Sequence, residues 1–123
     1  KLLENIFAAC AANKAGEIYL AKSNDGRIAA GIFVAFDATT AYYLIGGKDD
    51  DFGNSGAMSF LFWNAFKELG QRVRSFDFEG SMIKGVENYF RSFGAEQKGF
   101  FQLSKMDSTL AKLKSGIRRV IKR

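Results

Sequence analysis

The chain has 123 residues and a net charge of +5, and 47% of its residues are hydrophobic, which is enough for one compact domain and excludes an intrinsically disordered chain. It contains no His and a single Cys, Cys10, so Ser-His-Asp catalysis, Cys-His catalysis and an internal disulfide are excluded, and no metal site is expected. No stretch of about 18 apolar residues could span a membrane, and we expect a cytoplasmic protein.

The first half of the chain predicts one helix followed by three antiparallel strands. Apolar residues at helical spacing predict a helix that begins at Leu2 and ends before Gly16. Strands are expected over residues 17–23 and 27–37, because the sequence Asn-Asp-Gly between them is a strong hairpin turn. A third strand over residues 40–47 completes an antiparallel meander, and its Tyr, Leu and Ile side chains suit a strand covered on both faces.

The second half alternates helices and strands. A helix is expected over residues 55–70, where apolar side chains recur at i, i+3, i+4 and i+7, with Asn54 or Ser55 as its N-cap. Four further elements follow: a strand over 74–79, a helix over 86–92, a strand over 96–104 and a helix over 106–122. The order α-β-β-β-α-β-α-β-α predicts a mixed sheet of the α+β or α/β class, an antiparallel meander followed by a parallel strand pair with flanking helices.

Two strands of this sheet are expected to be parallel neighbours. Residues 40–47 and 74–79 are joined through a helix, and such a crossover places their C-terminal ends at the same edge of the sheet. Open α/β sheets bind ligands at that edge. We therefore expect a crevice near Ile45 and Phe78.

Asp77 is the first candidate site residue. It alternates with Phe76 and Phe78, so it lies on the opposite face of its strand, at the end that points into the crevice. A buried carboxylate there is either a general base or polar anchor for an amine, or a structural acceptor for nearby backbone amides, for Arg74 or for Arg91. We favour the structural role, because buried carboxylates usually have hydrogen-bond partners.

The loop GGKDDDFGNSGA, which precedes the helix over residues 55–70, is the second candidate. Gly53, Ser55 and Gly56 could offer backbone amides and a helix N-terminus to an anion such as a phosphate. The three carboxylates of residues 49–51 argue against this interpretation, because they repel a phosphate. The alternative, which we favour, is a solvated surface loop.

The positive charge is concentrated at the C-terminus. Residues 105–123 contain seven Lys or Arg and one Asp, a local charge of +6, so the rest of the chain sums to −1. A basic amphipathic helix over residues 106–122 could contact tRNA phosphates or an anionic membrane surface. The alternative, which we favour, is that its apolar stripe packs on the domain while its charges remain in water.

Residues 76–95 carry a recognisable pattern. The sequences FDFEGS at 76–81, Gly85-Val86 and FRSFGA at 90–95 resemble the signature FDF-G … F/Y-K/R-x-FG of the bacterial FemABX-like acyltransferases. The upstream stretch AAGIFVAFDATTAYYLIGGKDDD and the following helix fit the same proteins in order and spacing, so the resemblance covers almost the whole chain.

The resemblance implies a GNAT (N-acetyltransferase-like) fold. Because such domains often occur in tandem and the chain begins without Met, we expect residues 1–123 to be a single GNAT-like domain, the C-terminal half of a longer two-domain protein. Trp63 lies off the main apolar stripe of its helix, which favours an interface with a second GNAT-like domain or with a homodimer mate.

The chemistry implied by the resemblance is the transfer of an acyl or aminoacyl group from acyl-CoA or aminoacyl-tRNA to the amine of a small molecule or peptide, without a metal. Backbone amides at the end of residues 40–47 would stabilise the oxyanion. The cofactor-binding candidates are Ile45, Gly46, Gly47, Gly53, Ser55 and Gly56. The catalytic candidates are Asp77, Arg91 and Tyr89. Arg91 would contact a carboxylate or phosphate, and a salt bridge to Glu87 is its alternative.

The chain departs from acetyl-CoA-dependent GNAT enzymes in two places. Lys48 and three Asp stand where those enzymes commonly have an Arg-led or Gln-led Gly-rich loop. Phe90 stands where many have a Tyr that protonates the leaving thiolate, and Tyr89, one residue earlier, would face elsewhere on a helix. Two alternatives to FemABX-like transfer therefore remain: an acyl-CoA-dependent N-acetyltransferase, and a non-catalytic scaffold or binding module.

Overall fold

The computed structural model describes residues 1–99, 101 and 103. These described residues form three α-helices and four strands in the predicted order, with one short 3-10 helix at Asp50–Phe52. Their bounds are α1 Leu2–Asn13, β1 Gly16–Lys22, β2 Ile28–Phe36, β3 Thr40–Lys48, α2 Ala57–Leu69, β4 Ser75–Asp77 and α3 Lys84–Arg91. None of these described helices is both long and apolar enough to cross a membrane.

The four strands form one mixed sheet in the order β1-β2-β3-β4. β1 and β2 are antiparallel, and so are β2 and β3, which confirms the predicted meander. β3 and β4 are parallel, so the predicted neighbouring pair is also confirmed. The parallel ladder is short, and it aligns Thr40 with Ser75, Ala41 with Phe76 and Tyr42 with Asp77.

The turn between β2 and β3 anchors this parallel pair. Asp37 Oδ1 accepts hydrogen bonds from the backbone N–H groups of Thr39 at 2.7 Å and Thr40 at 2.8 Å, and these bonds lower the pKa of the carboxyl to about 2. The carbonyl of Thr39 accepts from the backbone N–H groups of Arg74 at 2.8 Å and Ser75 at 3.2 Å. The turn therefore fixes where β4 begins beside β3.

The two faces of the sheet are covered by different helices. On one face, Ile32 and Val34 of β2 pack in the buried core with Leu61 and Phe62 of α2. On the other face, the ring of Phe7 from α1 contacts Phe33 edge to face, with 5.7 Å between the ring centroids. Alternate residues of β2 thus serve two layers, as the pleat of a strand requires.

Phe62 is the centre of the buried core. Its side chain is 0% exposed. Its ring lies 5.0–6.3 Å, centroid to centroid, from the rings of Tyr43, Phe66, Phe76, Phe78, Tyr89, Phe90 and Phe93. Since these rings come from β3, β4, α2 and α3 and from the segments that follow β4 and α3, the aromatic cluster holds the second half of the domain together.

The start of α2 differs from the prediction. The helix begins at Ala57, and its N-cap is Gly56, whose φ of 75° is left-handed; no side chain caps the helix. The predicted cap by Asn54 or Ser55 is therefore wrong. A glycine adopts this backbone conformation without steric cost, so the chain can turn into the helix at Gly56.

The predicted last strand over residues 96–104 is not found where the structure describes that segment. Residues 96–99, 101 and 103 have no regular secondary structure. Gly94 has a φ of 85°, which turns the chain after α3, and the described sheet contains no strand paired with this segment. The predicted basic helix over residues 106–122 lies outside the described residues.

Candidate functional site

The open edge of β3 is the main feature of the candidate site. β4 stops pairing at Asp77, opposite Tyr42, whereas β3 continues to Lys48. Within residues 1–99, no strand lies beside the last part of β3 on that side. The edge therefore leaves backbone N–H and C=O groups that can pair with an extended ligand.

A bulge in β3 marks the start of this open edge. Val34 of β2 pairs with Tyr43, but its neighbour Phe33 pairs with Ile45, so Leu44 is an extra residue in β3. A bulge bends a strand and reorients the side chains next to it. The bulge at Leu44 lies two residues after Tyr42, the last residue of β3 that pairs with β4, so it follows the point where the two parallel strands stop pairing.

Tyr43 extends along β3 from the bulge towards Gly46. A Cβ atom placed on Gly46 would lie only 2.6 Å from the Tyr43 hydroxyl oxygen and 3.0 Å from the carbonyl oxygen of Gly31. Burial, and secondarily the neighbouring Tyr89, raise the pKa of Tyr43. Gly46 is thus needed for a close approach between a tyrosine side chain and the strand backbone.

Replacing Gly46 with Ala should destabilise the fold by about 1–3 kcal/mol, because the new methyl group has no space beside Tyr43. Gly47 is the matched control, because a Cβ placed there meets no atom within 4 Å. Gly47→Ala should change the free energy of unfolding by less than about 0.5 kcal/mol. Urea denaturation of both variants measures the difference, and equal stabilities would contradict the packing argument.

A cleft of about 220 Å³ lies at the N-terminus of α2, next to the end of β3. It is lined by Lys48, by residues 53–59 and by Tyr89. Four of the predicted site residues are therefore brought together: Gly53, Ser55, Gly56 and Tyr89. The first backbone N–H groups of a helix have no partner within the helix, so this end of α2 can donate hydrogen bonds to an anion.

Tyr89 points into this cleft, which differs from the expectation that it faces elsewhere. Phe90 is buried and stacks on Phe78 with 4.5 Å between centroids, and this packing turns the preceding residue of α3 towards α2. The hydroxyl of Tyr89 lies 2.9 Å from Oγ of Ser59, in the first turn of α2. The burial of Phe90 in the core thus fixes the rotation of α3, and this rotation places Tyr89 in the cleft.

In the acidic loop before α2, the side chains of Asp49 and Asp51 bind groups outside the lining of the cleft. Asp49 accepts a hydrogen bond from the backbone N–H of Asp51 at 3.0 Å and caps the 3-10 helix. Asp51 pairs with Arg27 at 2.8 Å, and the Arg27 guanidinium lies 4.9 Å from the ring centre of Phe52. Because Arg27 offsets part of the loop's negative charge, the repulsion of an anion in the cleft is weaker than the sequence indicates.

Lys48 supplies positive charge at the cleft. Its Nζ donates to the backbone carbonyl of Gly53 at 3.1 Å, which holds the ammonium group at the rim. Within the part of the chain that the structure describes, no group of His, Cys, Asp or Glu is arranged to hold a metal ion.

Asp77 is exposed, so the prediction of a buried carboxylate is wrong. β4 ends at Asp77, and the chain turns at Glu79 and Gly80, whose φ angles are 59° and 69°. Asp77 Oδ1 accepts a hydrogen bond from the backbone N–H of Glu79 at 2.7 Å. The carboxylate therefore stabilises the turn that follows β4.

Arg91 lies on the surface of α3, outside the lining of the cleft. Its guanidinium donates to Glu87 at 2.8 Å and to the side-chain oxygen of Gln97 at 2.6 Å. The predicted alternative, a salt bridge to Glu87, is therefore present. This exposed pair contributes little to stability.

Ile45, Gly46 and Gly47 line a second cavity, on the α1 face of the sheet. This apolar groove has a volume of about 480 Å³, and Leu3 and Phe7 of α1 form one of its walls. The predicted cofactor-binding residues are thus divided between two cavities on either side of the end of β3.

Sequence reasoning missed Tyr43 and Ser59. Ser59 lies three residues after Gly56, in the first turn of a helix that the periodicity predicts, so its position near the helix N-terminus was available from the sequence. Its contact with Tyr89 was not, because it joins residues 30 positions apart. Tyr43 carries no signal, because the bulge that positions it depends on pairing with β2.

Comparison with known proteins gives one family. The sequence profile of the acetyltransferase (GNAT) domain matches residues 1–91. No curated protein matches the chain.

Solved structures share the fold. A candidate acetyl transferase from Pyrococcus furiosus superposes with a TM-score of 0.71 at 10% identity, over 84% of this chain and 74% of that chain. A mutant protein from Bacillus halodurans gives 0.67 at 14% identity, over 83% and 73%. The ribosomal-protein-alanine N-acetyltransferase from Brucella melitensis gives 0.59 at 10% identity, over 76% and 72%. At these identities the similarity concerns the fold alone.

Proposed function

The chain belongs to the acetyltransferase (GNAT) domain family, and on that premise we propose that it transfers an acyl group from acyl-CoA to an amine. The observation that carries this proposal is the cleft at the N-terminus of α2, which joins unpaired helix amides, Lys48 and the Tyr89 hydroxyl beside the open edge of β3. An acyl-CoA has phosphates, an extended arm with amide groups and a thioester. The cleft and the open edge of β3 offer a complementary group for the phosphates, for the amide groups of the arm and for the thioester.

In this proposal the phosphates bind at the cleft. The backbone amides of Ser55 and Gly56 donate to phosphate oxygens, and Lys48 adds a positive charge; Gly53 lines the cleft, but its N–H donates to the carbonyl of Asp50 at 2.9 Å. The amide groups of the arm pair with the open edge of β3, as an added strand would. The reacting carbonyl then lies near the backbone amide of Gly46, which stabilises the oxyanion; the alternation of the ladder with β2 turns this N–H to the open edge and those of Ile45 and Gly47 towards β2.

The transfer step is a nucleophilic substitution at the thioester. The amine nitrogen attacks the carbonyl carbon, so that a C–N bond forms and the C–S bond breaks. Tyr89 donates its hydroxyl proton to the leaving sulfur, and the excess proton of the new ammonium group returns to the phenolate through water. Asp77, at the end of β4 where the β3–β4 ladder stops, attracts the positively charged amine, which loses a proton to water before it attacks.

Calorimetry with acetyl-CoA tests the donor. We expect binding by the wild-type protein and about tenfold weaker binding by Lys48→Ala, because a charge-assisted contact to phosphate is lost. Lys67→Ala is the matched control, because Lys67 lies in the last turn of α2, away from the cleft. Absence of heat with acetyl-CoA for the wild-type protein would contradict the acyl-CoA proposal.

A second candidate function is aminoacyl transfer from aminoacyl-tRNA, as in FemABX-like proteins. The observation that favours it is the segment FDFEGS…FRSFGA, which forms β4, the turn after it and α3 beside the cleft. In the same calorimetric experiment, a 3′-aminoacyl-adenosine mimic that binds where acetyl-CoA does not would favour this candidate. If neither compound binds, a non-catalytic scaffold is the remaining function.

Partners follow from exposed features of the domain. Phe60 and Trp63 on the outer face of α2 are 62% and 59% exposed, which supports an interface with a second GNAT-like domain or with a homodimer mate in the cytoplasm. The basic segment over residues 106–122 supports contact with tRNA or with an anionic membrane surface.

A further inference from the structure

Ser59 contacts the proposed proton donor. Its Oγ lies 2.9 Å from the Tyr89 hydroxyl in a partly buried position, and both residues line the cleft. Ser59 belongs to α2 and Tyr89 to α3, so the contact joins two helices across the cleft. We propose that Ser59 is a positioning residue that directs the Tyr89 hydroxyl to the leaving group of the acyl donor; this rests on the proposed function.

The direction of this hydrogen bond decides its role. Either hydroxyl can donate, but only one of them does so at a time. When Ser59 donates to the phenol oxygen, the proton of Tyr89 is free to reach the leaving sulfur. The same bond then stabilises the phenolate that remains after the proton has left.

The position of Ser59 in α2 strengthens this effect. It is the third residue of the helix, in the turn where backbone N–H groups have no partner within the helix. The helix dipole at this end is positive and favours negative charge nearby. A phenolate beside Ser59 is therefore stabilised by the hydroxyl and by the end of α2 together.

The ring of Tyr89 is held independently of Ser59. It packs edge to face on Phe93 with 5.2 Å between centroids, and it lies 6.2 Å from Phe62. Removal of the Ser59 hydroxyl should therefore leave the ring in place and release only the orientation of the phenol O–H. The effect is expected in the rate of transfer and not in the fold.

The test compares two acyl donors in transfer to a panel of primary amines. Acetyl-CoA has an alkyl thiolate as its leaving group, which needs a proton; S-(4-nitrophenyl) thioacetate has an aryl thiolate, which leaves without one. With acetyl-CoA we expect Ser59→Ala to lower kcat about tenfold and to change KM by less than about twofold. With the aryl thioester, kcat should change by less than about twofold.

Two further variants separate positioning from packing. Ser59→Thr retains the hydroxyl and should restore at least about half of kcat. In a Tyr89→Phe background, Ser59→Ala should lower kcat further by less than about twofold, because the two residues act as one unit. Ser23→Ala, in the β1–β2 turn, is the control for loss of a surface hydroxyl.

The outcomes distinguish the two levels of the proposal. Equal losses with both donors, or no loss with acetyl-CoA, would overturn the role of Ser59 while acyl transfer by the wild-type protein stands. Failure of the wild-type protein to transfer an acyl group from either donor to any amine in the panel would overturn the proposed function, and the role of Ser59 with it.

Discussion

Replacing Phe62 with Ala is expected to lower the free energy of unfolding by about 3–5 kcal/mol, because the substitution opens a cavity in the centre of the domain. The side chain is 0% exposed and is surrounded by aromatic rings from four different elements and the segment after α3. Domains of this size are stable by only about 5–15 kcal/mol, so the variant retains a small margin at best.

Phe60→Ala on the same helix is the matched control for this prediction. Phe60 is 62% exposed, so its truncation should cost less than about 1 kcal/mol in an isolated domain. Urea denaturation followed by tryptophan fluorescence measures both variants, because Trp63 lies in α2. Similar losses for the two variants would show that the aromatic cluster is not the centre of the core.

Replacing Tyr89 with Phe is expected to lower kcat for acyl transfer from acetyl-CoA about 100-fold, because general acid catalysis typically contributes 10²–10⁴ in rate. The ring is kept, so its packing against Phe62 and Phe93 remains. Only the hydroxyl and its contact with Ser59 are lost. Stability should therefore change by about 1 kcal/mol, the usual net value of one hydrogen bond.

Tyr19→Phe provides the corresponding control. Tyr19 lies on β1, where its hydroxyl donates to Glu17 at 2.7 Å, and it does not line the cleft. Steady-state kinetics should show kcat of this variant within about twofold of wild type, since a lost hydrogen bond there affects only stability. A Tyr89→Phe enzyme that keeps full kcat would remove Tyr89 from the mechanism and leave the cleft as a binding site.

Much of the fold could be predicted from local sequence signals. The Asn-Asp-Gly turn, the helical periodicity of α2 and the crossover between β3 and β4 each depend on a few neighbouring residues, and each is found in the structure. The local pattern of residues 96–104 predicts a strand, but the described residues of that segment, 96–99, 101 and 103, are irregular. A strand requires a neighbouring strand to pair with, and the sequence pattern of one segment does not show whether such a neighbour exists.

The site was predictable only in part, because it depends on long-range packing. Gly53 and Gly56 line a cleft, and their position before a helix is visible in the sequence; that they bind a cofactor stays a prediction. The exposure of Asp77 was not predictable, because β4 ends at this residue and the turn after it leaves the side chain at the surface. The orientation of Tyr89 depends on the burial of Phe90, which no local pattern distinguishes from its neighbours.

The bulge at Leu44 bears on how such a site changes during evolution. Groups that pair with the unpaired part of β3 meet main-chain atoms, which every residue except proline supplies in the same form. Substitutions that preserve the bulge therefore leave this part of ligand recognition intact. Chains that share only 10–14% of their residues with this one nevertheless have its fold, as expected where the main-chain shape, more than a list of side chains, defines the architecture.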